Sequence, residues 1–111
     1  MARGIQTPRT AQTSSSMAYA LGLAGRKWSL RIVWELRLGP MSFRALRAAC
    51  GQVSPSVLAD RLQQLGEAGI VENIPRLGYR LTARGERLFQ VLAALDKWSQ
   101  ELENNLHQRN R

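Results

Sequence analysis

The sequence predicts a mainly α domain that carries one small β-hairpin, and three observations lead there. From Met17 onward, apolar residues recur at three- and four-residue intervals over most of the chain. That period breaks once, where residues 70–74 and 79–82 flank the turn-forming run Pro75-Arg76-Leu77-Gly78. The chain has 111 residues, 44% of them hydrophobic, which suits one small core and is too short for two.

Residues 1–16 are rich in Ser, Thr, Gln and Arg and have no apolar period, so they are expected to form a flexible N-terminal arm. A folded domain is expected over 17–106 and a polar tail over 107–111. Its first helix spans 17–24 and ends near Gly25. The second spans 27–38, with Trp28, Ile32 and Leu36 in one stripe that Val33 widens. Gly39-Pro40 stops it, since proline has no N–H for the helical ladder. A short third helix over 43–50 carries Phe43, Leu46 and Cys50 on one side, and Gly51-Gln52-Val53 forms a tight turn. Ser54-Pro55 then opens a helix over 54–68, with serine a favoured cap and proline pre-set for the first helical position. Leu58, Leu62 and Leu65 share its inner face, and Gly69 ends it.

The hairpin follows over 70–82, with Pro75 and Gly78 expected to supply the turn geometry of a four-residue connection. Thr82 caps a last helix running to about residue 105, with Leu88, Leu92, Leu95, Leu102 and Leu106 in a row that Ser99 interrupts. Two helices joined by a tight turn and followed at once by a hairpin make the winged helix-turn-helix arrangement. Trp34, Leu30 and Leu38 give the second helix a second apolar face. That face and the leucine row of the last helix both require packing partners, which a dimer would supply.

Sixteen Lys+Arg against eight Asp+Glu leave a net charge of +8, which suits a polyanion: nucleic acid or an acidic membrane face. No apolar run approaches the roughly 20 residues of a spanning helix, and the first 16 residues hold no hydrophobic stretch of the secretory kind. A soluble, cytoplasmic protein with no membrane partner is expected, beside the nucleoid in a bacterium. The single cysteine, Cys50, excludes an internal disulfide and a multi-thiolate zinc cage. His107 has neither a second ligand nor a nucleophile to serve, and no acid–base cluster or phosphate-cradling loop occurs. No enzyme, metal or cofactor is therefore expected. RNA binding lacks an aromatic strand motif.

Inward leucines turn Ser56, Asp60 and Gln63 of the fourth helix outward, with Val57 and Ala59 at the border and Arg61 flanking the stripe. Small and polar residues at a helix start allow close entry into a major groove. Serines there can meet base-edge donors or acceptors, and Arg61 a guanine or a phosphate. Asp60 opposes phosphates unless it pairs, and pairing with Arg61 or Arg44 is expected. Arg44 and Arg47 lie on the outer side of the third helix, placed for phosphates. Arg76 at the hairpin tip, with Arg80 and Arg84, suits a minor groove or its backbone. For each of these cations an ordinary solvated face is the alternative. Cys50 reads as a small buried hydrophobe.

The runs GRKWSLRIVWELRLGPMSFRALRAAC, SPSVLADRLQQLGEAGIVE and YRLTARGERL resemble the HxlR-type winged-helix regulators, relatives of the broader MarR class. The resemblance covers roughly 18–100. It implies a homodimeric transcriptional regulator, joined through its first and last helices, that binds a near-palindromic double-stranded DNA site. It places Ser54, Ser56, Val57 and Arg61 on the recognition helix, Arg76 and Arg80 in the wing, and Arg44 at the start of the supporting helix. Some members sense oxidants through a cysteine near the N terminus; this chain has none there, and Cys50 does not match that position. A small-molecule effector between subunits is left open, as is a rival class, a winged helix used only for protein contact.

Overall fold

The computed structural model describes residues 14–109, so the expected arm lies outside the described residues up to position 13. Helix α1 spans Ser15–Ala24, starting two residues ahead of expectation because the Ser14 hydroxyl accepts from the Met17 N–H and caps it. Helix α2 spans Ser29–Glu35 and tightens into a 3-10 turn over Leu36–Leu38. The expected start at Lys27 is not reached, because Trp28 sits at φ 82, a left-handed conformation that cannot continue a right-handed helix. Helix α3 spans Phe43–Ala49 and α4 spans Pro55–Glu67, each opened by a serine, Ser42 and Ser54, whose hydroxyl accepts from the backbone N–H three residues on.

Strands β1 (Val71–Ile74) and β2 (Gly78–Leu81) pair antiparallel, Val71 opposite Leu81 and Ile74 opposite Gly78. The connection is therefore Pro75-Arg76-Leu77, one residue shorter than expected. The Leu77 N–H donates to the Ile74 carbonyl, and Arg76 supplies the positive φ, 71°, that a type II turn needs two places after its first residue. Gly78 serves a different end. Tyr79 exchanges both backbone hydrogen bonds with Met41, at 2.9 and 2.8 Å, which adds a one-residue third strand to the hairpin. A Cβ on Gly78 would lie 2.3 Å from the Met41 carbonyl oxygen, so only glycine allows that approach.

Helix α5 spans Ala83–Arg109 and takes in the first three residues of the expected tail. The Thr82 hydroxyl accepts from the Gly85 N–H at its start. The core gathers Ile32, Val33 and Leu36 of α2, Leu46, Cys50 and Val53, the three leucines of α4, Ile70 and Val71, Leu81, and Leu92 of α5. The second face of α2 finds its partner inside the chain: the Trp34 ring packs against Phe89 of α5, centroids 5.7 Å apart. It therefore requires no second subunit. Among the described residues no helix is long and apolar enough to cross a membrane.

Candidate nucleic-acid interface

Leu58 and Leu65 of α4 are fully buried and Leu62 nearly so, which fixes the helix's rotation about its axis. At 100° per residue, Ser56, Asp60 and Gln63 then fall on the opposite side, and all three are exposed. Ser54 and Pro55 are exposed at the helix start, whereas Val57 is half-buried and packs on the core. Ser54 combines two tasks. Its oxygen accepts the Val57 N–H at 3.2 Å, and it lies 3.4 Å from the Ser56 hydroxyl, leaving a hydroxyl pair at the tip of the helix.

The expected neutralisation of Asp60 is present: Arg61 Nη1 donates to its carboxylate at 2.6 Å, with Gln64 Nε2 at 3.3 Å. The same contact changes the placement of Arg61. Its Nε donates to the Lys27 carbonyl at 2.8 Å and its side chain is only 19% exposed. Spacing put Arg61 at a base or phosphate; the structure turns it toward the junction before α2, because that side of α4 faces an open backbone carbonyl.

Several other arginines are likewise committed to main-chain oxygens. Arg47 donates to Val53, Arg31 to Ala49 and Arg84 to Ala68, so each ties a helix end or turn to a neighbouring element. Arg47 and Arg84, placed in sequence among the phosphate-facing cations, thus fasten the turn before α4 and the end of α4. Spacing gave no sign of these contacts, since a carbonyl acceptor is carried by every residue type.

Arg44 and Arg76 differ. Both are exposed, and neither takes part in an ion pair or hydrogen bond with another described side chain. The Met41–Tyr79 bridge sets the start of α3 against the base of the hairpin, bringing the Arg44 end of one element to the element whose tip carries Arg76. Arg80 pairs with Glu72 across the hairpin at 3.0 Å, with both side chains about half exposed (48% and 44%). An exposed pair of this kind is weak and exchanges readily for a phosphate. Cys50 is buried, and that burial pushes its thiol above the usual value, an effect opposed by nearby Arg31. Such a thiol stays protonated and unreactive at neutral pH.

The geometry is that of a helix-turn-helix with a short wing, and known proteins agree. The HxlR-like helix-turn-helix family matches residues 23–107. The HTH-type transcriptional regulator YvaP of Bacillus subtilis is 33% identical over 88 residues, 74% of this chain and 82% of that protein. The HTH-type transcriptional regulator Mb3122 of Mycobacterium bovis is 35% identical over 92 residues, 78% of this chain but only 58% of that longer relative. The crystal structure of quinone-bound YodB from B. subtilis superposes with a TM-score of 0.73 at 30% identity, covering 79% of this chain and 99% of that one. On its sequence match and its fold together, the chain belongs to the HxlR-like helix-turn-helix family of DNA-binding transcriptional regulators.

Proposed function

We propose that the chain binds double-stranded DNA sequence-specifically as a homodimer, with α4 in the major groove and the hairpin on the adjacent backbone or minor groove. The observation that carries this reading is the division of α4, leucines sealed inward and Ser56 and Gln63 uncovered on the opposite side. A narrow polar face of this kind fits between phosphate backbones. In this reading Ser54, Ser56 and the exposed edge of Val57 meet base edges. Arg44 and Arg76 hold phosphates on either side, with Arg80 released from Glu72 to join them.

The homodimer rests on apolar surface that the fold leaves open: Met17, Tyr19 and Leu21 on α1, and Val91, Leu95, Trp98 and Leu102 on α5. A two-fold axis between such helices would set two α4 helices about 34 Å apart and call for a near-palindromic site. A DNA-binding regulator of this kind works in the cytoplasm, beside the nucleoid.

Selection of bound duplexes from a random pool, followed by salt titration of the winner, tests the reading. A two-fold-symmetric sequence is expected, with log affinity falling linearly against log salt. Arg44→Ala should make that slope shallower by about 0.9, the value of one phosphate contact. A pool from which nothing is enriched, with binding to acidic proteins retained, would replace this reading by that of a protein-contact module.

A further inference from the structure

Arg61 sits beside the recognition face of α4 without belonging to it, and its contacts give it another task. On the helix wheel it shares a flank with Val57 and Gln64, well round from Ser56 and Asp60. Its Nε donates to the Lys27 carbonyl at 2.8 Å, across 34 positions of sequence. Its Nη1 is held at 2.6 Å by Asp60, which fixes the plane of the guanidinium. Moving this group to a phosphate would break both bonds and strip the carbonyl of its donor.

The acceptor is itself specially placed. Helix α2 starts only at Ser29, so the Lys27 carbonyl precedes its ladder. Trp28 follows in a left-handed conformation at φ 82, which sets the direction of the peptide joining it to Lys27. Bulky residues avoid this region at a cost of about 1–2 kcal/mol, so the surrounding structure must hold Trp28 there. The Lys27 ammonium covers the Trp28 ring at 5.5 Å, on the same corner. A strained residue and a two-pronged arginine thus meet on one peptide group, at the corner where α1 passes into α2.

We propose that Arg61 is a positioning residue. It clamps α4 to the α1–α2 corner and so sets the attitude of the recognition helix relative to the helix assigned above to subunit contact. It binds no DNA itself. This inference rests on the DNA-binding reading, and it predicts an outcome that a phosphate contact would not give. Loss of the clamp lets α4 tilt, which harms the matched sequence, where every base edge must align, more than a random duplex held by phosphates alone.

The experiment compares wild type, Arg61→Ala and Arg61→Lys on the selected duplex and on a random duplex across a salt series, with hydrogen exchange measured on the protein alone. Arg61→Ala should lower affinity for the selected duplex about tenfold, the worth of a hydrogen bond to a charged group. Its affinity for random duplex and its salt slope should stay at the wild-type values. Arg61→Lys keeps the charge but can span the two acceptors only poorly, so it should fall between the two, again with the wild-type slope. It also serves if the alanine variant does not fold. Exchange should quicken over residues 25–29 and stay unchanged in the hairpin.

A slope shallower by about 0.9 in Arg61→Ala and restored in Arg61→Lys would make Arg61 a phosphate contact and overturn the clamp. Equal weakening on both duplexes, with exchange raised throughout the chain, would overturn it too, leaving a general contribution to folding. A wild-type protein that prefers no duplex overturns the DNA-binding reading itself and the positioning role with it.

Discussion

Arg76 occupies a backbone position that glycine would fill with less strain. Its φ of 71° is the left-handed value required after Pro75 in the turn, where a side chain adds about 1–2 kcal/mol of steric cost. The arginine is exposed at the tip of the hairpin, so no core contact recovers that cost. Strain retained at an exposed cation points to a use for the charge. Arg76→Gly should therefore move stability and function in opposite directions. The thermal midpoint should rise by about 4 °C, as relief of roughly 1 kcal/mol does in a domain this small. Duplex affinity should fall, with a salt slope shallower by about 0.9. Calorimetry and fluorescence anisotropy on the same preparation read both. A variant that gains stability and binds as well as wild type would remove Arg76 from the interface.

Each element is held at its ends, and the hairpin shows how closely. Gly78 allows the Met41 carbonyl to approach where a Cβ would stand 2.3 Å away, and its φ of 107° is foreign to other residues. Gly78→Ala should break the Met41–Tyr79 bridge and lower stability by about 2–3 kcal/mol, the scale of a forced backbone clash. Urea denaturation should show a lower midpoint, and exchange at the Met41 and Tyr79 amides should quicken before that of Val71. Unchanged protection at these two amides would mean that the third strand is not held by this contact.

Much at this scale was legible in the sequence. Leu58, Leu62 and Leu65 repeat at helical spacing, and Ser54 and Thr82 stand at helix starts, so the rotation of α4 and the caps of α4 and α5 could be read directly. What could not be read depends on backbone atoms or on distant segments. Nothing in the local pattern marks Trp28 as left-handed, or Lys27 as the acceptor for an arginine 34 positions away. Trp34 was correctly set on a second face of α2, yet sequence could not tell a partner subunit from the chain's own Phe89. In the candidate interface, outward positions on α4 followed from periodicity. The commitment of Arg47, Arg61 and Arg84 to carbonyls did not, because acceptors of that kind carry no residue signature.

At the scale of the whole molecule, the last helix is longer than one core can use. Its 27 residues extend about 40 Å, and within the described chain Leu92 is its last buried residue. Beyond that point Leu95, Trp98, Leu102 and Leu106 continue on the side of Val91, within an arc of about 80°, and each is roughly half exposed. The Cα radius of gyration, 17.8 Å, exceeds the roughly 13 Å expected of a compact domain this long. A protruding helix with one apolar face carries surface that water does not favour, and a second copy of the same helix buries it on both sides at once. Trp98→Glu with Leu102→Glu should therefore divide the assembly without unfolding the winged domain, since neither side chain is in the core. Light scattering should give twice the chain mass of 12.4 kDa for wild type and that mass itself for the double variant. The variant should keep its circular dichroism apart from some fraying of α5. On DNA it should lose the advantage of a two-fold site over a single half-site, because linking two half-site contacts raises affinity by about a hundredfold or more. Wild type at the single-chain mass, or a double variant that still prefers the two-fold site, would show that α5 is not what joins the two reading heads.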